Sequence, residues 1–149
     1  MDQGDDRKQA LIEAVRTLAR ERLSGARAAA ALPFIDYFFS NVAPRDMADE
    51  DPEDLFGAAI ALWQFGAKRS PDTAKIRAYQ PSFESDGWRS PRAVIEIVND
   101  DMPFLVDSVT TALGEMDLAA HLVIHPIVPL RRADGAVTVT APNDGQARA

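Results

Sequence analysis

The residues best suited to chemistry stand together at positions 99–105, where the sequence reads NDDMPFL. Asn99, Asp100 and Asp101 offer one amide and two carboxylates, which can hold a metal ion, move a proton or accept the N–H groups at a helix start. Adjacent turn residues usually diverge, and no third ligand stands nearby in the sequence. Three interpretations stay open: a capped turn, a ligand site, and a metal or catalytic site.

The flanking pattern places this stretch between a strand and a helix. Residues 92–98 are nearly continuous apolar and β-branched, which predicts a central strand. Asp101 is then expected to be the N-cap of a helix over 102–116, with Met102 and Pro103 in its first turn. Five apolar residues at helical spacing are expected to face the sheet: Leu105, Val109, Ala112, Leu113 and Met116.

The ligand interpretation uses the same turn. A helix N-terminus after a strand offers free N–H groups and a positive dipole, which suit a carboxylate or a phosphate. Asn99 and Asp100 could meanwhile take the amino group of the same ligand. An amino-acid effector would therefore contact this stretch, whose members are Asn99, Asp100, Asp101, Met102, Pro103, Phe104 and Leu105.

The N-terminal half predicts helices. Residues 6–23 place apolar side chains at helical spacing, and a second helical run covers 27–40. Pro33 is expected in the first turn of the aromatic part of that run, because proline in a helix interior costs about 3 kcal/mol. A third helix is expected to begin with Asp51 as its cap and Pro52 at its first position.

From about residue 72 the spacing becomes strand-like. Residues 75–80 alternate in polarity, and residues 118–132 form a long β-branched run, so both predict strands. Asp134-Gly135 is a hairpin signal, and the returning strand is expected over 136–141.

The expected organisation has three parts. A helical part covers residues 1–71, an α+β part covers 72–142, and a flexible tail covers 143–149. The expected fold class is therefore α+β.

Composition excludes several functions. The formal net charge of -7 is unsuited to a nucleic-acid partner, which needs a basic surface. No apolar run reaches the roughly 18 residues of a membrane span, so we expect no association with a membrane. The chain has no cysteine and its N-terminus is polar, so we expect a cytoplasmic location.

The sequence shows no catalytic or metal-binding pattern. His121 and His125 would stand about 13 Å apart on a strand, too far to chelate one ion. No sequence motif for a nucleophile, metal set or cofactor loop is present, which favours a binding or assembly domain.

Longer stretches carry a resemblance. Four of them resemble the N-terminal region of the large bacterial NAD-dependent glutamate dehydrogenases. They are VIEIVNDDMPFLVDSV (94–109), HLVIHPIVPLRR (121–132), YFFSNVAPRDMADEDPEDLFGAAIALWQ (37–64) and KIRAYQPSFESDGWRSP (75–91). The resemblance covers about residues 30 to 132. It implies an ACT-like segment ahead of the catalytic domain of a homo-oligomeric enzyme. NAD, the catalytic residues and the dinucleotide-binding glycines belong to that later domain, so this chain is expected to hold no catalytic residue, metal or cofactor.

An ACT module has the element order βαββαβ. Its first four elements match four expected elements of this chain: the strand at 92–98, the helix at 102–116, and the strands at 119–130 and 136–141. The resemblance thus implies N-terminal helices packed with an incomplete, ferredoxin-like antiparallel sheet. The expected function is a regulatory or assembly domain that contacts the remainder of the dehydrogenase chain and binds an amino-acid effector at 99–105. The alternative is a structural oligomerisation domain with no small-molecule ligand.

Overall fold

The computed structural model describes residues 2–70, 72–133 and 136–140. These residues form six helices and two antiparallel β pairs, which confirms the α+β class. The helices are α1 (Gln3–Arg22), α2 (Gly25–Ser40), α3 (Pro44–Met47), α4 (Pro52–Phe65), α5 (Phe83–Asp86) and α6 (Leu105–Glu115); the strands are β1 (Lys75–Tyr79), β2 (Val94–Val98), β3 (Leu130–Ala133) and β4 (Ala136–Val139). None of the described helices is both long and apolar enough to cross a membrane.

Local signals start the N-terminal helices. Ser24 caps α2 by accepting the N–H of Arg27, and Asp51 caps α4 by accepting the N–H of Glu53 at 2.9 Å. Pro52 occupies the first turn of α4, where a missing N–H costs nothing. The predicted start of α4 is confirmed.

The main core lies between α1, α2 and α4. Its largest fully buried side chains are Leu11, Val15, Ile35, Phe39 and Met47. Aromatic rings of α2 continue this core: the Phe34 ring lies 5.0 Å from the Trp63 ring of α4, and Phe38 meets Phe39 edge to face. The expectation for Pro33 was wrong, because α2 runs unbroken through it. Burial of the surrounding aromatic face outweighs the local cost of the proline.

The pair β1–β2 has a polar face towards α4. Arg77 pairs across the strands with the buried Glu96, and the guanidinium stacks over the Phe65 ring of α4 at 4.7 Å. The opposite face is apolar, with Ile76 beside Ile97 in the register. The expected central position of residues 92–98 was wrong: β2 pairs only with β1 among the described residues.

The antiparallel pair β3–β4 packs on the helical core. Val128 and Leu130 are buried in that core, and Val137 and Val139 pack against it. The returning strand is confirmed as β4, whereas the long strand over 118–132 was wrong and is reduced to β3. Two prolines in that run lack the N–H needed for a ladder, which explains why the chain before residue 129 forms no strand. The expected turn at 134–135 and the tail at 143–149 lie outside the described residues.

Helix α6 is shorter and more exposed than expected. It begins at Leu105 instead of residue 102, and none of its residues, all of them described, is buried. The expectation that its apolar stripe faces a sheet was wrong for the described part of the chain. Helical spacing shows which residues share a face, but it does not show what covers that face.

Trp88 depends on a glycine in α4. A Cβ atom placed on Gly57 would lie 2.2 Å from the Trp88 Cβ and 2.4 Å from its Cγ. The buried indole can therefore approach the helix only because position 57 has no side chain, and this contact holds the segment after α5 against α4.

We expect Gly57→Ala to lower the free energy of unfolding by about 1–3 kcal/mol, because the added methyl group displaces Trp88. Urea unfolding followed by circular dichroism measures the change. The matched control is Gly114→Ala in α6, where no atom lies within 4 Å of the added Cβ. This control should gain about 0.5–1 kcal/mol from helix propensity. Equal effects of the two substitutions would contradict the packing argument.

Candidate functional site

Residues 99–104 form the turn between β2 and α6, and their side chains do not converge. The Asp100 carboxylate accepts a hydrogen bond from Arg69 Nη1 at 2.8 Å, and Asn99 Nδ2 donates to the Met102 sulfur at 3.2 Å. Asp101 is exposed and has no partner among the described residues. Pro103 is also exposed. The two aspartates therefore do not act as a pair.

The predicted cap is also wrong. Asp101 is not the N-cap of α6; that position belongs to Phe104, whose side chain makes no capping bond. Phe104 has φ 64°, in the left-handed region that a bulky residue rarely adopts, and the residue is 75% exposed. Leu105 begins the helix and is half-buried. The first N–H groups of α6 are thus left without a side-chain cap.

Asp100 is held by Arg69, which lies four residues beyond the end of α4. The Arg69 side chain is 7% exposed; its Nε donates to the Thr73 carbonyl at 2.7 Å. Its Nη2 is buried without a hydrogen-bond partner in the described structure. The hydrogen bond and the charge of Arg69 hold the pKa of Asp100 below its ordinary value.

Two more cations close the end of α4. Lys75 Nζ donates to the carbonyls of Phe65 and Lys68 at 2.8 and 2.9 Å. Arg132 Nη1 donates to the two carbonyls between them at 2.7 and 3.2 Å. Cations are favoured at this end of a helix, where the backbone presents unpaired carbonyls and the negative end of the dipole.

A cavity of about 420 Å³ opens beside these groups. It is lined by Lys68, Arg69, Ser70, Thr73, Ala74 and Lys75. Sequence reasoning missed this site because its cations come from both sides of a loop. The available signal was the basic pair at 68–69 directly after a helix that begins with acidic residues.

A second cavity, of about 460 Å³, lies between α4 and the residues that follow β1. Its one guanidinium, from Arg77, stacks between the rings of Phe65 and Tyr79 and is neutralised by Glu96. Burial pulls the Arg77 pKa down, but the hydrogen bond and charge of Glu96 outweigh it and raise that pKa. This guanidinium serves packing between the sheet and α4.

The described residues contain no group of three or more His, Asp or Glu side chains that could hold a metal ion. His121 and His125 are both exposed and lie in the irregular chain before β3. No described side chain is arranged as a nucleophile with a base. The chemistry that this region offers is therefore binding by charge and by apolar surface.

Comparison with known proteins gives a consistent result. The profile of the family described as "Glutamate dehydrogenase, ACT1 domain" matches residues 34–149. The NAD-specific glutamate dehydrogenase of Halomonas elongata is 32% identical over 124 residues, which cover 83% of this chain and 8% of that protein. The enzyme of the same name from Pseudomonas aeruginosa is 28% identical over 116 residues, covering 77% of this chain and 7% of that protein. No solved structure matched the chain. The chain thus spans less than a tenth of the length of these relatives.

We expect Asp101→Ala to change the free energy of unfolding by less than about 0.5 kcal/mol, because its carboxylate has no described partner. The matched substitution Asp51→Ala removes the bond to the Glu53 N–H and should cost about 1 kcal/mol. Thermal and urea unfolding of both variants measures the difference. A loss at Asp101 as large as that at Asp51 would restore Asp101 as a cap.

The Asp100–Arg69 pair predicts a pH dependence. Because the folded pKa of Asp100 is lowered, the unfolded chain binds more protons in the acid range, and stability falls as the pH drops from about 4 through the folded pKa. We expect Asp100→Asn to remove this part of the acid limb. Unfolding free energies measured at several pH values test it, with Asp101→Asn as the control. An unchanged acid limb in Asp100→Asn would show that the pair does not stabilise the fold.

Proposed function

The chain belongs to the family of glutamate dehydrogenase ACT1 domains, and from this membership we propose that it is an assembly and regulatory domain of an NAD-specific glutamate dehydrogenase. In this proposal the parent enzyme uses NAD to deaminate L-glutamate oxidatively to 2-oxoglutarate. The reacting groups and the cofactor lie elsewhere in the parent, and this chain supplies contact surface. The single observation that carries the proposal is the uncovered apolar face of β1–β2.

This sheet presents its two faces in an unusual way. The charged face, with Arg77 and Glu96, lies against α4, whereas the apolar face points away from the helical core. On that outer face Ile76 is 63% exposed and Ile95 is 45% exposed. A two-stranded sheet with a bare apolar face has little stability of its own, and contiguous apolar surface of this kind marks an interaction site.

Helix α6 adds a second apolar surface. Its half-buried residues Leu105, Val109 and Leu113 recur at helical spacing, and the stripe continues to the exposed Met116 after the last turn. Docking this stripe in an apolar groove would remove that surface from water.

Phe104 supports the same interpretation. A phenylalanine in the left-handed backbone region costs on the order of 1–3 kcal/mol, and here the exposed ring gains no packing in return. Met102, two residues earlier, is also exposed. A partner that buries both side chains would offset the strain. The turn at 99–105 is thus better suited to a protein contact than to the head group of a small ligand.

The proposed occupant of this surface is another segment of the parent dehydrogenase. The matched region is 8% of the Halomonas elongata relative, so most of such a polypeptide is available to cover it. A domain docked in this way also regulates, because any effector that changes the docking free energy shifts the conformational equilibrium of the catalytic part.

An amino-acid effector at residues 99–105 is the second candidate. It is favoured by the start of α6, where the first N–H groups receive no side-chain cap and a carboxylate would be accepted. In that case a free amino acid should protect the backbone amides of residues 105–107 from hydrogen exchange in this chain alone, without any other segment of the parent.

The docking proposal is tested by Ile76→Asp and Ile95→Asp, made both in this chain and in the full-length dehydrogenase. Because both side chains are exposed here, the unfolding free energy of this chain should change by less than about 1 kcal/mol. In the full-length enzyme the buried carboxylate should break the contact and reduce the assembled fraction in sedimentation. Ala29→Asp, which adds the same charge at an exposed position of α2, is the matched control.

Hydrogen–deuterium exchange gives an independent measurement. We expect β1, β2 and α6 to exchange at least tenfold more slowly in the full-length enzyme than in this chain. Equal exchange in both would overturn the docking proposal. Concentration-dependent self-association of this chain, abolished by Ile95→Asp, would instead identify a second copy as the occupant and favour the purely structural alternative.

A further inference from the structure

The end of α4 collects more positive charge than its surroundings neutralise. Lys68, Arg69, Lys75 and Arg132 lie there, and Asp100 is the one carboxylate that pairs with any of them in the described residues. The helix end itself contributes only about half a negative charge. We propose that the cavity of about 420 Å³ beside these cations binds a small dianion, a phosphate or a dicarboxylate.

Capping of α4 does not require all four cations. Lys75 and Arg132 already donate to the four carbonyls of residues 65–68. Lys68 is exposed and makes no described side-chain contact, so its charge is not used by the fold. Arg69 is used only in part, by Asp100 and by the Thr73 carbonyl.

Donors remain for a bound anion. A lysine ammonium has three N–H groups, and Lys75 commits two of them to carbonyls. Arg69 Nη2 is buried without a described partner, a state that costs on the order of 1–3 kcal/mol and that a small adjustment towards an oxygen of the ligand would relieve. The volume lies within the roughly 300–1,000 Å³ range of small-molecule sites.

The cations also repel one another. Burial and then the charge of Arg69 lower the pKa of Arg132, whereas Asp100 opposes this effect. A dianion between them would reduce the repulsion, and this gain is available only when ligand is bound. The chain as a whole carries a net charge of -7, so an anion would be attracted locally and not by the overall charge.

Asp100 has a defined role in this proposal. Its carboxylate occupies one edge of the Arg69 guanidinium and so competes with an external anion. Removing its charge while keeping its shape should therefore tighten anion binding. If Asp100 instead binds the amino group of a ligand, the same substitution should weaken ligand binding. The substitution therefore distinguishes an anion site in the cavity from an amino-acid site at residues 99–105.

The test uses this chain and two probes, inorganic phosphate and succinate, with chloride at matched ionic strength as the reference. Isothermal titration calorimetry gives the affinity, and the side-chain Nε–Hε resonance of Arg69 reports binding at the cavity. We expect at least one probe to bind and to shift that resonance. The probe that binds more tightly identifies the ligand as a phosphate or a dicarboxylate.

Three variants sharpen the result. Lys68→Gln should weaken binding about threefold to fivefold, as expected for one exposed charge, and it leaves the fold intact because its side chain has no described contact. Asp100→Asn should tighten binding severalfold. Arg45→Gln removes an 88% exposed charge from α3 and should change nothing.

The proposal is overturned if neither probe shifts the Arg69 resonance beyond the chloride reference. It is also overturned if Lys68→Gln and Arg45→Gln behave alike, or if Asp100→Asn weakens binding. These outcomes are independent of the apolar docking surface, since they concern ions and this chain alone, whereas docking is measured in the full-length enzyme.

Discussion

The carbonyls at and just beyond the end of helix α4 need hydrogen-bond donors, and the side chains that supply them connect the β elements to the helix. The last four carbonyls of a helix have no partner within it. Backbone N–H groups of Gly66 and Ala67 pair with the carbonyls of Leu62 and Gln64. Lys75 of β1 and Arg132 of β3 donate to the carbonyls of residues 65–68, the last residue of α4 and the three that follow it. The same bonds therefore fix both β pairs to the helical core.

A third contact with the β elements is made just beyond the end of α4. Arg69, one turn beyond α4, holds Asp100 at the end of β2, so the turn that leads into α6 is anchored as well. Gly57, near the start of α4, admits the Trp88 side chain and anchors the segment after α5. Helix α4 thus contributes one face to the apolar core and uses its remaining surface to position the β elements.

This arrangement produces two surfaces with different chemistry. The anchoring contacts use the polar face of β1–β2, which leaves Ile76 and Ile95 uncovered on the opposite face. They also concentrate cations at one helix end, next to a cavity. The apolar surface is suited to a protein segment and the cation cavity to a small anion, so an assembly contact and a ligand site can coexist in one small domain without sharing residues.

The amino-acid sequence by itself determined the features that depend on near neighbours. Asp51 and Pro52 start α4 through interactions within one turn, and β1 alternates in polarity, so both elements could be predicted. The family could also be predicted, because long stretches of the sequence resemble it. The features it did not determine depend on distant partners. Asp101 does not cap α6 because the left-handed backbone at Phe104 moves the helix start to Leu105.

Tertiary structure decided the rest. Two prolines and the docking of Val128 and Leu130 into the core replaced the expected strand over 118–132 by unpaired chain and the short strand β3. The contact of Asp100 with Arg69 spans 31 residues, and that of Arg132 with Gly66 spans 66 residues. No periodicity encodes such pairs, because they form only after helices and strands have packed. The cation cavity is lined by residues 68–75, which are near neighbours in the chain, but Asp100 and Arg132 reach its surroundings only through these long-range contacts. The turn at 99–105 could be recognised in the sequence, whereas its partners could not.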